Sequence, residues 1–197
     1  MISIMRVFGF IGALATAALV IAGFYVAGGW YDFGADSAHW KISEAMIETV
    51  RDRSIARRSD GIEVPDLTDQ QLILKGAGQY AAMCTQCHLS PIDKVSDIRP
   101  GLYPPPPELS KIRVDPREAF WVPKHGIKMT AMPAWGREHD DATNWSIVAF
   151  VNKLPDLSAD EYRKFVAMAP LDGHGDAHSE SQNTKAPPAT DGHSHQH

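Results

Sequence analysis

The sequence predicts an all-α protein, with a membrane-spanning helix at its N-terminus and one small helical domain behind it. Three observations carry this. No charged side chain interrupts the twenty-four residues from Val7 to Trp30. Further along, apolar residues recur at helical steps, as in Ile42, Met46 and Val50. Helix-start pairs, Thr68 with Gln71 and Ser158 with Glu161, precede two of the apolar runs.

The N-terminal run comes first. At ~1.5 Å per residue it reaches ~36 Å, enough to cross a hydrocarbon core of ~30 Å. Arg6 precedes it and Asp32 and Asp36 follow, so the positive flank predicts a cytoplasmic N-terminus and an exported body. Trp30 and Tyr31 stand where interfacial aromatics belong. The competing reading is a cleaved signal peptide, with small residues at Ala15–Ala17 and Ala27–Gly29 for a peptidase. A signal core usually has only ~7–15 residues, which favours an uncleaved anchor. Both readings send residues 32–197 to the same side of the membrane.

The division that follows is residues 1–6 cytoplasmic, 7–30 anchor, 31–65 linker with an amphipathic helix, 66–170 domain, and 171–197 tail. One domain with appendages suits 197 residues. A net charge of −5 argues against nucleic acid as a partner. Two cysteines are too few for a disulfide scaffold.

Residues 38–58 carry the Ile42, Met46 and Val50 stripe with Arg51, Arg53, Arg57 and Arg58 around it, an amphipathic helix whose basic end reads first as a solvated face. A helix from about Thr68 places Leu72, Gly76 and Tyr80 on one stripe. Glycine there costs ~1 kcal/mol relative to alanine, a cost that close approach of another helix explains. From Leu89 to Ser110 prolines dominate, and Pro104–Pro107 must be extended. Pro116 opens a short helix with Phe120 and Trp121 facing inward, followed by a loop from His125 to Gly136. The next helix runs from Asp141 to Leu154 and carries Trp145 and Phe150; the last runs from Ser158 to about Met168. Beyond Pro170 no apolar period remains, which predicts disorder.

Both cysteines lie in Cys84-Thr85-Gln86-Cys87-His88. C-x-x-C-H is the attachment signature of a c-type haem: two thiols one turn apart add to two vinyl groups, and the adjacent imidazole ligates the iron. A thioredoxin-like pair would need a strand before the motif, and a zinc site would need a second pair of ligands. For the sixth ligand the candidates are His125, Met129, Met132 and His139. Met132 ranks first, because Pro133 stiffens the loop behind it; Met129 is second and His125 third. The ordinary reading of a loop methionine is a gap filler.

The order of a helix with Gly76 and Tyr80, Cys84–His88, a proline-rich loop, Met132-Pro133-Ala134-Trp135-Gly136 and a helix with Trp145 and Phe150 resembles the class I cytochromes c. More narrowly it is similar to membrane-anchored single-haem cytochromes related to the cytochrome subunit of the C-family haem–copper oxidases. The likeness covers roughly residues 66–155. It implies three to five helices around one covalent haem c, with Cys84 and Cys87 as thioether anchors, His88 proximal and Met132 distal. It implies that Gly76 and Tyr80 pack against Trp145 or Phe150. It also implies a proline carbonyl, from Pro91 or Pro100, orienting His88. Leu89 follows the motif where relatives often have glycine or a small residue.

The expectation is therefore an electron carrier rather than an enzyme, working at the periplasmic face of a bacterial inner membrane with redox proteins as donor and acceptor. Lys111, Lys124 and Lys128 are candidates for a docking patch. A rival from another class is a copper- or zinc-binding module through His174, His178, His193, His195 and His197, with the last three able to reach one ion. A haem enzyme or gas sensor with a labile distal ligand is the third reading.

Overall fold

The computed structural model describes residues 2–170. Regular structure among these residues is helical: α1 (Ile2–Ala27), α2 (Lys41–Ser59), α3 (Gln70–Met83), α4 (Thr85–His88), α5 (Pro116–His125), α6 (Asp141–Lys153) and α7 (Ala159–Ala167). The five histidines from His174 to His197 lie outside the described residues.

Within α1, Arg6–Ala27 is long and apolar enough to cross a membrane, and none of its apolar window is buried. The helix stops at Ala27, short of Trp30, because Gly28 and Gly29 turn the chain, Gly29 with φ +64°. Aromatic rings collect at this end. Trp30 lies 6.0 Å from Tyr25, Trp40 6.4 Å from Tyr25, and Phe33 4.9 Å from Tyr31.

α2 forms where the apolar period predicts, yet its stripe stays exposed among the described residues. Ile42 is 79% exposed, and Met46 and Val50 are each 64% exposed. The helix attaches to the domain through its other side, by buried Ile55 and Ser59. Near its start the Tyr103 hydroxyl accepts from the His39 N–H and donates to Glu44, both at 3.3 Å.

α3 starts one residue later than the Thr68 pair predicts, and Thr68 is not its cap. The Thr68 hydroxyl and N–H both donate to the Asp66 carboxylate, at 2.7 and 2.9 Å. Asp69 takes the capping position instead, accepting the Gln71 N–H at 2.8 Å. Ser158 and Glu161 do form the predicted capping box. Asp115 caps α5, with Pro116 at its first position, and Asp140 caps α6.

α3 and α6 cross at Gly76, which is why a glycine stands there. A Cβ on it would overlap the backbone carbonyl of Ser146 and come within 3.0 Å of the Phe150 Cβ. Tyr80 meets Phe150 with ring centres 5.6 Å apart, so Phe150 is the partner. Trp145 turns the other way and stacks on Phe120 of α5 at 4.1 Å. Tyr162 and Phe165 of α7 close over Phe150 at 6.0 and 6.3 Å. Each fully buried side chain of this size contributes ~1.5–3 kcal/mol. This core fixes the end of α3, where the cysteines begin.

Candidate haem site

Cys84 ends α3, and α4 is the single turn that carries the rest of the motif. Its bonds set the spacing. The Cys84 carbonyl accepts from Cys87 N–H at 3.2 Å and from His88 N–H at 2.8 Å. Cys84 and Cys87 thus stand one turn apart, both half-buried and not joined to each other. Burial, reinforced by the neighbouring Cys87, pushes the Cys84 thiol up to about 12. A redox-active thiol pair works through a lowered pKa, the opposite of the direction at Cys84.

Leu89 leaves the turn with φ +60°, the conformation a glycine adopts without strain. Here two contacts offset the strain. The Leu89 side chain is buried, and its carbonyl accepts the Tyr80 hydroxyl at 2.6 Å. The turn is thereby tied back to the α3–α6 crossing.

His88 Nδ1 lies 2.9 Å from the Pro107 carbonyl. Neither Pro91 nor Pro100 is the acceptor: the last proline of the extended run is the one that reaches the ring. A carbonyl only accepts, so Nδ1 carries the proton and Nε2 keeps its lone pair in the neutral ring. Burial, together with the charge of Arg99, holds the imidazole pKa below its ordinary value, against the opposing pull of the Pro107 bond. Neutral imidazole is the metal-ligating form.

Sequence reasoning missed Arg99. Its guanidinium donates to the Cys87 carbonyl at 2.8 Å and lies 3.7 Å from the Glu108 carboxylate. It therefore clamps residues 99–108, Pro107 included, to the turn. No spacing rule marks such a residue, because the loop path alone decides what it reaches.

Met132 stands on a separate segment. Its N–H donates to the Thr130 hydroxyl at 3.1 Å, and its carbonyl accepts from Ile127 N–H at 3.1 Å. Gly126, with φ +67°, lets the loop fold this tightly, since a Cβ there would sit 2.9 Å from the Met132 oxygen. Met132 is half-buried, whereas Met129 is 86% exposed. His125 is exposed and stacks on Trp121 at 4.8 Å, and His139 lies against Trp135 at 5.6 Å. Of the docking lysines, Lys111 pairs with Glu108 and Lys124 with Asp141, while Lys128 is exposed.

Residues 71–151 match the family described as cytochrome C oxidase, cbb3-type, subunit III. No curated protein and no solved structure gave a match. The matched segment runs from α3 through the Cys84–His88 turn and the Met132 loop into α6. Residues 71–151 are thus a class I cytochrome c domain of the cbb3-type oxidase subunit III family, preceded in this chain by an apolar N-terminal helix.

Proposed function

We propose that the domain is a one-electron carrier, with haem c bonded to Cys84 and Cys87 and ligated by His88 and Met132. The observation that carries this reading is the turn itself: two thiols one helical turn apart, followed by an imidazole whose Nδ1 is occupied 2.9 Å from the Pro107 carbonyl. That donor set fits a covalently held haem. Bound there, haem c supplies an iron couple that takes up and gives back one electron.

The chain's own residues hold that centre still. Pro107 keeps the His88 ring in one tautomer, and Arg99 fixes the loop that carries Pro107. Tyr80 anchors the residue after the motif to the core. A ligand set that does not move between oxidation states keeps the cost of electron transfer low. With His88 and Met132 both engaged, no position is left for oxygen or peroxide, so the protein carries electrons rather than reducing oxygen.

In this reading α1 stays as an uncleaved anchor and the domain lies at the periplasmic face of a bacterial inner membrane. The matched family's description names an oxidase subunit, and the electron path runs from a quinol- or dehydrogenase-side donor to an oxidase-side acceptor. The test is covalency and closure. After denaturing electrophoresis the band should keep peroxidase-stainable haem, and Cys87→Ala should weaken or abolish the stain. The reduced full-length protein should leave carbon monoxide unbound. Haem lost to acid-acetone extraction, or rapid carbon monoxide binding, would contradict the reading.

A further inference from the structure

We propose that α2 lies on the outer surface of the membrane, with its apolar stripe in the lipid and two arginines on anionic headgroups. Twisted at about 100° per residue, positions 42, 46, 50, 53 and 57 share an arc of about 80°. The first three are Ile42, Met46 and Val50, all exposed; the last two are Arg53 and Arg57, also exposed. Among the described residues neither arginine has an ion-pair partner, whereas Arg51 pairs with Glu48 and Asp52.

The opposite arc is different. Glu44, Glu48 and Asp52 lie there together with buried Ile55 and Ser59, on the side that attaches to the domain. All the carboxylates of α2 thus turn away from the free face. A face that is apolar at one end, cationic at the other and free of acidic groups complements an anionic leaflet.

Continuity places that leaflet at the right end of the helix. Trp40, the residue before α2, lies 6.4 Å from Tyr25 near the end of α1, in a group with Trp30, Tyr31 and Phe33. Such rings collect at the lipid–water boundary. The exposed stripe therefore begins where the apolar surface of α1 ends. This inference rests on the anchor reading only for where the lipid is. Its consequence is a fixed orientation, because the bonds from Tyr103 to His39 and Glu44 tie α2 to the domain.

Full-length holoprotein with a nitroxide on Met46→Cys is the probe, since Cys84 and Cys87 are consumed by haem attachment. Glu48→Cys on the opposite arc is the companion site. In vesicles of phosphatidylglycerol and phosphatidylcholine, the Met46 label should relax readily with oxygen and poorly with a water-soluble nickel complex, and the Glu48 label the reverse. Arg53→Glu with Arg57→Glu should raise nickel accessibility at Met46 several-fold, without releasing the chain from carbonate-washed vesicles. A Met46 label equally open to nickel in both forms overturns the lipid contact while leaving the anchor standing. Strong coupling between Met46 labels, independent of lipid charge, also overturns it and assigns the face to a second copy.

Discussion

Gly126 shows how much the Met132 loop depends on one missing side chain. At its φ of +67° an added Cβ would be strained, and it would sit 2.9 Å from the Met132 oxygen. Gly126→Ala should cost ~1–3 kcal/mol through strain in the turn and should weaken methionine ligation. Thermal melting and carbon monoxide binding would report both; an unchanged melt would mean that the loop relaxes freely. The residue scale is also where the sequence was most and least legible. Cys84, Cys87 and His88 stand out in the sequence because the C-x-x-C-H spacing is so specific, whereas Met132 ranks first among several candidates only because Pro133 stiffens the loop behind it. Pro107 was not readable. Which of many prolines faces His88 depends on the course of residues 89–107, for which no local rule exists. Arg99 was hidden for the same reason, and Leu89 hid a positive φ behind a residue that seldom adopts one.

Among the elements, the α3–α6 crossing decides whether the domain folds. A Cβ at Gly76 meets the backbone of Ser146, which has no rotamer to yield. Gly76→Ala should therefore separate the two helices and cost ~3 kcal/mol or more, despite alanine's better helix propensity. Urea denaturation measures this, and a stabilised variant would refute the crossing. The glycine stripe made this contact legible, because a mid-helix glycine needs a reason. Capping was legible only in part. Asp156 stands two residues before Ser158 but is engaged by Arg113, and Ser158 and Glu161 form their box, whereas Asp66, two residues before Thr68, captures that side chain and leaves the cap to Asp69. The period of α2 predicted a helix correctly but gave no sign of which side meets the domain. Ile55 and Ser59 settle that, not the longer stripe of Ile42, Met46 and Val50.

At the scale of the whole molecule, an apolar helix, a linking helix and a haem-type domain follow one another along the chain. The C-terminal stretch has the composition of a segment that does not join a core. Removing residues 171–197 should leave the haem spectrum and potential unchanged and should abolish any copper or zinc binding seen by calorimetry. A shifted potential would mean that the tail packs on the domain. The central claim is that His88 and Met132 together close the iron and make the protein a carrier. It is tested most directly by the weak long-wavelength sulfur-to-iron absorption of the oxidised protein, measured in parallel for Met132→Ala and Met129→Ala. The account predicts that Met132→Ala loses this band, lowers the potential and binds carbon monoxide when reduced, while Met129→Ala matches the parent. Loss of the band in Met129→Ala instead, or its survival in both variants, would contradict it.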